Sequence, residues 1–149
     1  MRQRRAGPDA WLAGAAAGSG LVALLHLAVI FAGPEAYAFF GVPDLGARDA
    51  AGSGVPDLIT SGLVLVFTAW AWYPLAALSP RVWRPPLLRA GLATIGAVYT
   101  LRGASVVPQL IDLITRPSVP PRFVVFSSAS LVLGICYLVG FARWRSASI

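Results

Sequence analysis

Four stretches of this chain are long and apolar enough to cross a membrane, and that feature constrains the fold more than any other. They are Trp11–Ala32 (WLAGAAAGSGLVALLHLAVIFA), Leu58–Leu78 (LITSGLVLVFTAWAWYPLAAL), Leu87–Val107 (LLRAGLATIGAVYTLRGASVV) and Phe123–Phe141 (FVVFSSASLVLGICYLVGF). The first, second and fourth carry no Asp, Glu, Lys or Arg. About 20 apolar residues in a helix cover the roughly 30 Å of bilayer hydrocarbon. Lipid offers no partner to backbone N–H and C=O groups, so a spanning segment must be a helix or part of a closed barrel. Barrel strands alternate apolar and polar residues, and these runs do not. The expected fold is all-α: a single polytopic membrane domain over residues 1–149, built as a four-transmembrane-helix bundle with an external loop at 33–57.

Composition narrows the class. Charged residues make up 12% of the chain, about half the share usual in a soluble domain. All 12 basic residues are arginine. A basic balance can signal nucleic acid, but these arginines flank apolar runs instead of lining one polar element. No nucleic-acid partner is expected; the lipid bilayer is.

The arginines also set an orientation. Arg2, Arg4 and Arg5 precede the first span, Arg81, Arg84 and Arg89 lie at the second connection, and Arg143 and Arg145 follow the fourth span. Arg48, Arg116 and Arg122 fall on the opposite side with five of the six acids, Glu35, Asp44, Asp49, Asp57 and Asp112. Cytoplasmic loops carry the arginine excess, so both termini are expected to be cytoplasmic in a multi-pass protein of a bacterial inner membrane. Trp11, Trp70, Trp72, Trp83 and Trp144 gather toward that same interface, where an indole keeps its ring apolar and its N–H wet. The first run is longer than the apolar part of a signal peptide and is expected to remain as a helix.

The segment GVPDLGARDAAGSGVPDL, Gly41–Leu58, writes GVPDL twice. Proline favours an extended residue before it, and an acid at a helix start caps N–H groups and complements the dipole. Each copy therefore reads as a helix start, the first opening a short turn toward Arg48 and Asp49, the second opening the second span. A second reading turns Asp57 inward toward a partner in the third span.

Ionisable residues inside spans are costly and tend to face the bundle interior or a wet cavity. Arg102 is the most informative of them, in the outer half of the third span with Tyr99 and Ser105 three residues to either side. It either pairs inside the bundle or snorkels to the interface. His26, the single histidine, lies on a small-residue face with Ala15, Ser19, Val22 and Ala23. That face is expected to pack inward, leaving His26 as a hydrogen-bonding core residue or a proton-exchanging one. Glu35, Asp57, Tyr99 and Asp112 join His26 and Arg102 in a candidate polar cluster, with Thr60, Ser61, Ser127, Ser128 and Ser130 at matching depth. The stripe Ala93, Gly96, Ala97, Thr100, Gly103, Ala104 should be a helix-packing surface, and Ser130 and Gly134 form a small-xxx-small pair. Pro74 should interrupt the second span's hydrogen bonding, and Pro108 should end the third span. PSVPPR, Pro117–Arg122, reads as a stiff connection.

No phosphate loop, nucleophile elbow, HExxH or dinucleotide fingerprint occurs. One cysteine, Cys136, gives no internal disulfide, and the cysteine and histidine content gives no metal pattern. RPPLLRAGLATIGAVYTLRG, Arg84–Gly103, and PPRF, Pro120–Phe123, resemble segments of small four-span bacterial membrane proteins that lack an assigned function. In topology the chain is similar to DoxX-like proteins, some of which are associated with quinone-linked oxidation. That resemblance implies a left-handed four-helix bundle and assigns no residue a role. Three functions follow as expectations. The first is an accessory or assembly subunit, as a homo-oligomer or with a membrane partner. The second is a binder or enzyme for a quinone or lipid at the polar cluster. The third is an oligomeric transporter.

Overall fold

The computed structural model describes residues 9–115 and 120–147. Arg2, Arg4, Arg5 and Arg116, and Pro117–Val119 of the PSVPPR connection, lie outside the described residues. Within them every regular element is a helix: α1 (Ala10–Ala32), α2 (Pro34–Phe39), α3 (Pro43–Ala50), α4 (Val55–Leu78), α5 (Leu88–Ala104), α6 (Val106–Thr115) and α7 (Pro121–Ala147). Four helical stretches are long and apolar enough to cross a membrane: Ala10–Ala32, Val55–Leu78, Leu88–Thr115 and Pro121–Ser146. At about 1.5 Å per residue each is at least as long as the hydrocarbon is thick. Many of their large apolar side chains point outward, as lipid-facing residues should: Phe31 is 83% exposed, Leu65 72% and Leu101 78%.

The chain divides into two compact units, Met1–Ala16 with Trp72–Ile149, and Ala17–Ala71. The boundary falls within α1 and α4.

In the first unit α5 and α7 approach through small residues. A Cβ added at Gly96 would meet Tyr137 Cβ at 2.9 Å, and one added at Gly103 would meet Leu131 Cα at 2.5 Å. Gly134 of α7 faces Thr100, where an added Cβ would reach the Thr100 nitrogen at 2.6 Å. Gly96, Thr100 and Gly103 of the expected stripe thus face α7, while Ala97 and Ala104 are exposed and Ala93 is half-buried. Tyr99, buried beside them, stacks on buried Tyr137 with ring centroids 5.7 Å apart. The start of α1 packs against the end of α7, where Leu12 fills the space over Gly140.

Asp9 starts α1 as its cap, its Oδ1 accepting the Trp11 N–H at 2.9 Å. Its Oδ2 lies 3.5 Å from Arg143 Nε in the last turns of α7. The same end of the unit is rich in arginine and aromatic rings. Arg89 lies over the Trp144 ring at 6.0 Å, and Trp72 Nε1 donates to the Trp83 carbonyl at 3.0 Å.

The third stretch does not end at Pro108. Instead α5 closes at Ala104, Ser105 forms a turn, and helix resumes over Val106–Thr115. A proline lacks the N–H that would bond four residues back and its ring crowds that carbonyl. Pro108 therefore breaks the ladder at Ala104, and as the third residue of α6 it is itself well tolerated. Pro74 stands inside α4 with its ring fully buried, and by the same chemistry contributes no backbone N–H to that helix.

In the second unit, α2 and α3 form a small helical layer joined by the Val42 N–H bonding to the Tyr37 carbonyl at 3.0 Å. Gly46 makes that layer close, since a Cβ there would lie 2.5 Å from the Pro34 carbonyl oxygen. Both GVPDL copies open helices. Pro43 and Asp44 begin α3, and Pro56 and Asp57 are the second and third residues of α4. At α3 no side chain caps the start, so Asp44 acts there through charge on the dipole. The inward packing of the small-residue face of α1 holds for Ala15, Ser19 and Ala23, all buried, while Val22 and His26 are half-buried.

Candidate functional site

His26, Glu35 and Asp57 belong to the unit Ala17–Ala71, and Tyr99, Arg102 and Asp112 to the other. Among the described residues, each unit brings some of these side chains into a polar network.

In the first of these, Asp57 is half-buried at the start of α4, and its Oδ1 accepts the Tyr37 hydroxyl at 3.2 Å. Thr60 Oγ1 lies 3.1 Å from the Tyr37 oxygen and 2.9 Å from the Pro56 carbonyl, so its single proton serves one of the two at a time. Tyr37, Thr60 and Pro56 are all buried. Burial raises the Tyr37 phenol above its ordinary 10.0; the Thr60 hydrogen bond opposes this, and the Asp57 and Asp49 carboxylates add to it. A phenol kept neutral is a fixed donor. The triad thus joins α2 to the first turn of α4. The N–H that opens α4, that of Val55, goes to Ser53 Oγ at 3.3 Å, so Asp57 stands in the first turn with its carboxylate turned to Tyr37.

His26 Nδ1 lies 2.8 Å from the Val22 carbonyl one turn back. A carbonyl accepts only, so Nδ1 carries the proton. The ring lies against Phe67, 4.9 Å between centroids, and Phe67 meets Trp70 edge-on at 5.3 Å. Glu35 is exposed in the first turn of α2. A groove of about 560 Å³ runs between α1 and α4 in this unit, lined by Ala17, Gly20, Leu24 and Leu27 on one side and Val64, Thr68 and Ala71 on the other. A Cβ added at Gly20 would meet nothing within 4 Å.

The second network surrounds Arg102. Its Nη1 donates to Ser105 Oγ at 3.0 Å and to Ser127 Oγ at 3.1 Å. Ser105 Oγ donates to the Arg102 carbonyl at 2.6 Å, which leaves Ser127 as the donor across the 3.1 Å between the two serine oxygens. Ser127 is fully buried on α7 and Arg102 is exposed on α5. The guanidinium is therefore anchored at one edge and open at the other. Asp112 is half-buried in α6, and Gln109 Oε1 is a buried acceptor with no partner among the described residues.

Ser105 was visible in the sequence as a helical neighbour of Arg102, and Ser127 as a span serine. Tyr37 carried no signal of its own: its partner stands 20 residues away, and a tyrosine in a loop is ordinary. Among the described residues no three His, Cys, Asp or Glu side chains gather as metal ligands. No protein-family profile, curated protein or solved structure matches this chain.

Proposed function

We propose that the chain is a multi-pass inner-membrane protein with both termini in the cytoplasm, and that it serves as an accessory or assembly subunit that packs against a transmembrane helix of a partner subunit. One observation carries this reading. Three of the six candidate polar side chains bond within the chain: Asp57 to Tyr37, His26 to Val22, and one edge of Arg102 to two serines. Groups joined in this way act as glue between helices. Meanwhile the α1–α4 groove is apolar and small-residue lined, as helix interfaces in lipid are. The resemblance to small four-span bacterial proteins, and in topology to DoxX-like proteins, finds no support among known families, curated proteins or solved structures and lends this reading nothing.

Native mass spectrometry of the gently extracted protein tests the proposal. A stoichiometric complex with a second subunit is expected. Gly20→Leu should dissolve it, because a Cβ at that position meets nothing within 4 Å and the larger side chain projects into the groove that the partner helix would fill. A stable, partner-free monomer, or a complex indifferent to Gly20→Leu, would overturn the reading.

A further inference from the structure

We infer that Arg102 is an anion-binding residue whose ligand is the phosphate of a membrane phospholipid headgroup. This stands whether or not the chain is an accessory subunit.

A guanidinium has five N–H donors in a rigid plane. Both protons of Arg102 Nη1 are spent on Ser105 and Ser127. Nε–H and the adjacent Nη2–H, the pair that forms the side-on fork, have no acceptor among the described residues, and no carboxylate of the same unit pairs with the guanidinium there. The fork matches two oxygens of a phosphate. It is also pre-set: Ser127 is fully buried, and Ser105 is locked to the Arg102 carbonyl at 2.6 Å. The side chain thus spends little further entropy on binding.

The surrounding helices favour a lipid over a free oxyanion. Helix α5 has 17 residues, about 25 Å of rise, close to the hydrocarbon thickness. Arg102 is its fifteenth residue, about 21 Å along, and the guanidinium bonds Ser105 one turn further on, so it reaches from within the crossing stretch Leu88–Thr115 toward the headgroup boundary. On the side of Arg102 toward the hydrocarbon, α5 itself exposes Val98 and Leu101, 44% and 78% open. A spacing of three residues keeps these two side chains in line. A phosphate on Arg102 would have acyl chains beside that apolar face, and free phosphate would gain nothing from it.

The test is native mass spectrometry of the full chain in detergent with added phosphatidylglycerol. Arg102→Gln should lower the lipid-bound fraction about tenfold, the usual scale for losing hydrogen bonds to a charged group. Arg102→Lys, which keeps the charge without the fork, should fall between the two. Arg81→Gln, at an exposed site on another connection, should bind as wild type does. Excess inorganic phosphate should not displace the lipid. Retention by Arg102→Gln equal to wild type overturns the site, and complete displacement by phosphate overturns the lipid as its ligand. Should Arg102→Gln fail to fold, Arg102→Lys decides alone: undiminished retention refutes the fork.

Discussion

Gly103→Ala is the sharpest perturbation of the α5–α7 contact. The new methyl group would stand 2.5 Å from Leu131 Cα and 2.6 Å from Leu131 Cβ. The nearest atoms belong to backbone, so rotamer changes cannot relieve the clash and α7 must retreat by about 1 Å to regain ordinary contact. A gap of that size forfeits a quarter to a half of the dispersion energy along the lining, and overpacking of this kind costs about 1–3 kcal/mol. In water the alanine would return roughly 1 kcal/mol through helix propensity. In a membrane the separated helices stay helical, so that gain is present in both states and cancels. The expected net loss is about 2 kcal/mol, or roughly thirtyfold in the balance between packed and separated helices. Cys136, the single cysteine, is half-buried on α7 with its sulfur toward Gly14 of α1, so its reaction with a thiol-specific dye in detergent reports loosening of α7 as a whole. Gly62→Ala is the control, because a Cβ there meets nothing within 4 Å. Dye reaction in Gly103→Ala no faster than in Gly62→Ala would refute the packing argument.

Other predictions follow from the polar contacts. Tyr37→Phe deprives Asp57 of its donor and should cost about 1–2 kcal/mol, read as a lower melting temperature. Because the folded Tyr37 phenol titrates above the ordinary 10.0, its contribution is fully present below pH 10.0 and is lost as the pH rises through the folded value; a melting-temperature profile that falls above that point in wild type should lose this component in Tyr37→Phe. Asp9→Ala removes both a helix cap, worth about 1 kcal/mol, and a pairing, whereas Arg143→Ala removes only the ion pair made by a side chain that is itself 66% exposed, worth at most about 1 kcal/mol. Asp9→Ala should therefore be the more damaging in thermal melts. Pro108→Ala supplies the missing donor to Ala104 and should fuse α5 with α6, seen by NMR as helical carbon shifts unbroken through Ser105; a persisting interruption would show that the proline is not its cause.

The four long helices were legible in the sequence because lipid allows a long apolar run few conformations. The helix starts at both GVPDL copies were legible for a similar reason, as proline acts locally and in a known direction. The break in the third stretch is displaced from where the sequence suggests it. A proline suggests an end at itself, but its effect falls on the carbonyl four residues earlier, so the interruption stands at Ser105 and helix runs on past Pro108. The polar partners were harder still. Asp57 has a local use as a first-turn acid, which hid its bond to Tyr37. Arg102 invited a search for a carboxylate, but two serines hold it, one of them 25 residues away on α7. Serines are common in spans and mostly bond their own backbone, as Ser130 does to the Phe126 carbonyl. Nothing local marks Ser127 as different.

The central claim is a four-span chain with its arginine-rich ends on one side of the membrane. Single-cysteine labelling tests it most directly. In a Cys136→Ser background, cysteines replace Ser53, Ser79, Ser118 or Ser148, each a serine in a connection or near the C-terminus. The account predicts that positions 53 and 118 react with a membrane-impermeant maleimide in intact cells, and that positions 79 and 148 react only after permeabilisation. Equal labelling of 53 and 79 from one side would mean that α4 does not cross, and would contradict the account.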